Sequence, residues 1–187
     1  MSKALLVTAL LIAPGLASAQ TPQTGRSRLD LSGDSPSACL ISAPTAAVGA
    51  NAAFQSTGPR SGQVTITRLV DPAKATPLAA SINLALPLVC NAAHSLVVST
   101  SNGGLRRVGA GAAATKGFRE QLPYTVSASW AGQTVGAASR PGPTLTIRSD
   151  DGAAGQLSLN ITIPGGGEPL VAGTYGDQVV IQLEVAK

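Results

Sequence analysis

The chain holds one histidine and two cysteines, so the side chains able to do acid–base, metal or thiol chemistry are few. His94 follows Asn91-Ala92-Ala93 at the entrance to an apolar segment. A catalytic or metal-bound imidazole needs carboxylate, thiol or hydroxyl partners at a useful spacing, and none accompanies it, so it reads as a surface or turn-satisfied side chain. Asp150-Asp151-Gly152 can be drawn as an acid/base pair or a calcium loop, yet two acids before a glycine have the composition of a hairpin turn. Asp177 stands at the start of the last apolar segment, where a carboxylate caps or hydrogen-bonds a local turn. Gly165-Gly166-Gly167 lacks the Lys-Ser/Thr and the helix of a phosphate loop. Arg106-Arg107 is the only adjacent basic pair and reads as a solvated surface; with a formal charge of +4 spread along the chain, nothing resembles a nucleic-acid stripe with interleaved aromatics. Asn160-Ile161-Thr162 fits a glycosylation sequon but lies inside an alternating segment. The inventory speaks against an enzyme, a cofactor, a metal site and a nucleic-acid partner.

The thiols depend on the compartment. Lys3 precedes an apolar run at 4–16, followed by Ala17-Ser18-Ala19, the pattern of a secretory signal cleaved before Gln20. The run is short for a membrane span and is broken by Pro14-Gly15; no later stretch is long and apolar enough for one. The mature chain is therefore expected to be 20–187, exported, with no transmembrane segment. In an oxidising compartment Cys39 and Cys90 most economically form one disulfide, and no Cys-x-x-Cys spacing or histidine cluster favours reactive thiols or a metal. Cys90 continues the parity of Ile82, Leu84, Leu86 and Leu88, which points its sulfur into a core.

These residues have to be placed by a scaffold, and the composition describes it. Aromatics are 3% and charges 12%, with many Gly, Pro and small residues, a poor recipe for helices and a common one for exported β-structure. The mature segment is the size of one domain, assigned to 37–187 after an extension at 20–36. Apolar segments of period two recur at 38–42, 63–70, 81–89, 95–101, 124–130, 144–148, 156–163 and 175–185, the spacing of an all-β sandwich. Tyr124 and Trp130 fall on the apolar parity of their segment and read as core. Asn102-Gly103-Gly104, Asp150-Asp151-Gly152 and Pro164-Gly165-Gly166-Gly167 supply turns, and 109–115 reads as a small-residue loop. In the final segment Val179, Ile181, Leu183 and Val185 share one parity and Gln178, Gln182 and Glu184 the other, so the end of the chain is expected to be core. As the last strand of a sandwich it would leave a long free edge, and such an edge invites pairing with another chain.

The ordered set of Cys39, Cys90-Asn91, Ser101-Asn102-Gly103-Gly104-Leu105, Leu122-Pro123-Tyr124 with Trp130, and Ala172-Gly173-Thr174-Tyr175-Gly176-Asp177 resembles the spore coat protein U family, which includes the pilin-like subunits of archaic chaperone-usher pili. The resemblance spans most of the mature chain, and the Gly-Thr-Tyr-Gly-Asp run is its most specific piece. It implies an immunoglobulin-like sandwich lacking its last strand and completed by donor-strand exchange, first by a periplasmic chaperone and then, through an outer-membrane usher, by the extension of a neighbouring subunit. The implied product is a surface-adhesive pilus or biofilm subunit that passes through the periplasm to the bacterial cell surface. Val179, Ile181, Leu183 and Val185 would face the acceptor groove. Residues 20–28 carry no apolar row, which leaves Leu29 and Leu31 as donor anchors; the segment before Cys39 reads equally as part of the domain's own first strand. A minor or terminating subunit, or a family member that builds no fibre, also fits this start. The alternative reading is a free-standing exported β-sandwich that binds carbohydrate or cell-envelope ligands.

Overall fold

A computed structural model describes residues 28–111, 116–140, 142 and 144–186. The expected signal at 1–19 and the first residues of the expected extension lie outside the described residues. Two units are distinguished, Met1–Asp34 and Ser35–Lys187. In the first, residues 28–34 have no regular secondary structure and Leu29 and Leu31 are exposed.

The second unit is all-β, with no helix among the described residues. In chain order its strands are β1 (Cys39–Ile41), β2 (Ala46–Ala50), β3 (Ala52–Gly58), β4 (Ser61–Ile66), β5 (Ala80–Cys90), β6 (His94–Thr100) and β7 (Leu105–Arg107). They continue as β8 (Gln121–Leu122), β9 (Thr125–Trp130), β10 (Gln133–Ala138), β11 (Leu145–Ser149), β12 (Ala153–Ile163), β13 (Tyr175–Gly176) and β14 (Val179–Val185).

The organising pair is β5 with β12. On β5 every second residue from Ala80 to Cys90 is buried, the period-two pattern read from the sequence. β12 pairs with it antiparallel over its whole length, from Ala153↔Cys90 to Ile163↔Ala80. Around this pair forms a sheet of order β1-β5-β12-β9-β10, with β2 on the same edge of β5 as β1. A second sheet has the order β11-β6-β14. Inward residues of both, Leu84 and Leu159 from the first, Leu96 and Ile147 from the second, belong to one hydrophobic core, an arrangement consistent with a β-sandwich. A small sheet, β13-β7-β8, and the separate hairpin β3–β4 complete the unit.

Cys39 and Cys90 form a disulfide between register partners of β1 and β5, and Cys90 is buried as its parity requires. The Asp150-Asp151-Gly152 turn is not the hairpin expected from its composition: it carries the chain from β11 in one sheet to β12 in the other. Its residues are turn formers, but composition alone does not say which sheet the next strand joins. Residues 175–185, expected as one strand, are split into β13 and β14 because Asp177 leaves the ladder to bind elsewhere. At Asn102-Gly103-Gly104 the glycines are required: their φ values are +65° and +136°, and a Cβ on Gly104 would lie 2.8 Å from the Leu122 carbonyl oxygen.

Candidate functional site

The two edges of the β11-β6-β14 sheet are unequal. On β11 the inward Leu145 and Ile147 are 8% and 1% exposed, and on the central strand Leu96 and Val98 are 1% and 2%. On β14 the corresponding row, Val179, Ile181, Leu183 and Val185, is only half-buried. The sequence expected this row to be core; Val179, Ile181 and Leu183 pack against the core on one side and stay partly open on the other. β14 pairs with β6 from Val179↔Thr100 to Val185↔His94, and among the described residues no strand pairs with its second edge.

A groove of about 700 Å³ runs beside that edge. Leu84 and Leu86 of β5 and Leu159, Ile161 and Ile163 of β12 contribute to its floor. Val179 and Ile181 line it from β14, together with Val180; Leu183 and Val185, on the same parity, do not. Ile41 and the hairpin residues Phe54, Val64 and Ile66 line it as well. Ile161 shows the effect of the opening, since it sits at an inward position of a central strand yet is half-buried, whereas Leu157 and Leu159 on the same face are 0% and 2% exposed. Parity identifies the apolar rows of β5, β12 and β14 but not how completely each is covered; the resemblance assigns only the β14 row to a groove, and the β5 and β12 rows read as core.

Asp177 lines the same groove and is, among the described residues, the most heavily bonded side chain. Its Oδ1 accepts from the backbone N–H of Asn102 and of Gln178, both at 2.8 Å, and its Oδ2 accepts from Gly104 N–H at 2.9 Å and from the Tyr124 hydroxyl at 2.7 Å. A local turn was expected of it, whereas three of its four partners lie more than fifty residues away. It fixes the start of β14 to the turn after β6 and to the residue preceding β9. Burial first, then the hydrogen bond to Asp177 and its charge, raise the Tyr124 phenol far above its ordinary value near 10. The half-buried Tyr175, whose hydroxyl donates to the Val171 carbonyl at 2.7 Å, is raised too, chiefly by burial.

A pH dependence follows from Tyr124. Its folded-state pKa exceeds the unfolded one, so its contribution is complete below about pH 10 and is lost as pH rises further, because the unfolded chain then releases a proton that the folded chain keeps. Stability is expected to fall by about 1.4 kcal/mol per pH unit above pH 10 for this group. Urea denaturation of the wild type and of Tyr124→Phe between pH 8 and 11 checks it; an equally steep decline in the variant contradicts the assignment.

His94 is not at the surface. It is 1% exposed, with Nδ1 2.8 Å from the Ala92 carbonyl and Nε2 accepting from Trp130 Nε1–H at 2.9 Å. Nδ1 therefore carries the proton, and the ring joins the turn before β6 to the end of β9. The Ala92 contact is the turn satisfaction expected from the sequence; the Trp130 contact had no sequence signal, since the two residues belong to different sheets. Trp130 itself is in the core, as its parity required. Arg107 also departs from expectation: Arg106 is exposed, but Arg107 is half-buried and ion-paired with Glu120 across β7 and the approach to β8. Among the described residues no group of three His, Cys, Asp or Glu side chains is placed to hold a metal, and no helix is long and apolar enough to cross a membrane.

No family model, curated protein or solved structure matches the chain.

Proposed function

We propose that this chain is an exported structural subunit whose sandwich is completed by a strand from another chain, in the manner of the pilin-like spore coat protein U family it resembles in sequence. The observation that carries the reading is the contrast between the buried inward row of β11 and the half-buried inward row of β14, with an apolar groove beside the latter. An apolar row next to an unpaired ladder is satisfied best by an extended segment, which supplies hydrogen bonds to the edge and side chains to the groove together. The strand order supports this. If β1 and β2 stand for the first strand of an immunoglobulin-like domain, then β5, β6, β12 and β14 take the second, third, fifth and sixth places, with β9 and β10 beside the fifth. The place of the seventh, alongside the sixth, is the groove.

The occupant we assign is the extension of a second copy. Leu29 and Leu31 are 81% and 90% exposed and separated by one residue, so that in an extended donor strand they would present both side chains to one face. A chaperone strand of the same alternating chemistry would hold the groove before assembly. Extension-into-groove contacts are head-to-tail and generate open fibres.

A version of the chain with residues 20–36 repeated after a flexible linker at its C-terminus tests this. The added strand is expected to raise the melting temperature by about 10 °C and to convert aggregating material to monomer. Replacing both leucines of the repeat by aspartate should abolish the effect. A wild-type chain that is already a stable monomer with a cooperative melt, indifferent to the added segment, would favour the free-standing binding module and refute the proposal.

A further inference from the structure

Resting on that reading of the groove, we propose that the hairpin β3–β4 is a hinged flap, which lies along the groove in the unpartnered chain and swings aside when a strand enters. The hairpin forms a two-stranded sheet by itself and, among the described residues, pairs with no other strand. Its ladder runs between its own strands from Ala52↔Ile66 to Gly58↔Ser61, and the side-chain hydrogen bonds of Ser56 and Thr57 close within it. Lifting it therefore removes no ladder bond from β5, β12 or β14, the condition for a local opening below the cost of global unfolding.

Apolar contact holds the flap down. Phe54, Val64 and Ile66 are half-buried, pack against the core and line the same groove as Leu84, Leu86 and Ile161. An arriving strand with apolar residues at alternate positions offers that groove side chains of the same kind, so one cover replaces another. Phe54 is the largest apolar side chain of the hairpin that packs against the core, which makes it the main fastening of the blade.

The base is built differently. Asn51 sits at φ +54°, the left-handed conformation that asparagine tolerates better than most residues. Its Nδ2 donates to the carbonyls of Arg68 at 2.7 Å and Ala79 at 3.1 Å, its Oδ1 accepts from Arg68 N–H at 2.9 Å, and its carbonyl accepts from Thr67 N–H at 3.1 Å. One residue thus ties both stems together and to the chain entering β5. The base is pinned by directional bonds while the blade above it rests on non-directional ones, which places the pivot at residues 51 and 67.

Native-state hydrogen exchange on the full chain tests the flap. The amides of 53–65 are expected to open as one unit, at least about a hundredfold more readily than those of β5 and β12, and Phe54→Ala is expected to raise that opening about tenfold while β5 and β12 stay protected. Hairpin amides that exchange only together with β5 and β12 overturn the proposal. In a second arm, uptake of a synthetic peptide of residues 20–36 should be about tenfold faster with Phe54→Ala; measurable uptake at the same rate by both chains overturns the flap. Local opening with no uptake by either chain supports the flap and overturns the acceptor reading on which its occupant rests.

Discussion

Replacing Asp177 by alanine is expected to cost about 4 kcal/mol of folding stability, a large effect for one surface-proximal side chain. Four donors converge on this carboxylate, two on each oxygen. Its removal leaves the Gly104 N–H and the Tyr124 hydroxyl without partners in a buried setting, because Gly104 and Tyr124 are both buried. A buried donor left unmade costs about 1–3 kcal/mol, and more when the lost acceptor was charged. Asp177→Asn is the sharper test of charge. The amide keeps one acceptor oxygen, but its NH2 must then face two donors, so about half of the alanine loss is expected from a change of almost no volume. The midpoint of urea unfolding at neutral pH measures both. If the asparagine variant equals wild type, the four contacts are geometry without energy. Because the same carboxylate fixes the first residues of β14, either variant should also loosen the wall that Val179 and Ile181 give to the groove.

Opening the Cys39–Cys90 bridge should be of similar size. The two residues are 51 apart, and a closed loop of that length is worth about 4 kcal/mol in the chain-entropy treatment. A domain of this size has a total margin of about 5–15 kcal/mol. β1 is also short, three residues at the edge of its sheet, with little ladder to hold it once the bridge is gone. The double variant Cys39→Ser with Cys90→Ala suits the site, since Cys90 is buried in the apolar face of β5 and Cys39 is half-exposed. A drop in melting temperature of about 10 °C is expected, reproduced by reductant on the wild type. A melt unchanged on reduction would show that β1 docks without the cross-link.

Much of the scaffold was legible because strand parity is a local property. The alternating runs of β5, β6, β9, β11 and β12 are each visible in a window of ten residues, and each forms a strand within a residue or three of where the pattern places it. β2, β3 and β10 were missed for the converse reason: Ala46–Ala50, Ala52–Gly58 and Gln133–Ala138 are rich in Ala, Gly, Ser and Thr, too small to print an alternation, and they are strands because neighbours recruit them. β7 and β8 are three and two residues long and carry no periodic signal. At the candidate site the sequence supplied Val179 and Ile181 but not Phe54, Val64, Asn51 or the reach of Asp177, all of which depend on residues far apart in the chain. His94 failed in the same way, since the indole that makes its burial affordable lies 36 residues on, in the opposite sheet.

The pairing of β5 with β12 has a consequence in time. The chain finishes β5 at residue 90, while the strand that covers its long edge spans Ala153–Ile163. In an exported chain threaded amino-terminus first, β5 waits with its leucines uncovered until β12 follows. Local contacts cannot shorten that wait, because none of the strands between them, β6 to β11, pairs with β5. The emerging polypeptide therefore passes through a sticky interval, in which an attendant that shields oily segments would matter more than any property of the finished fold.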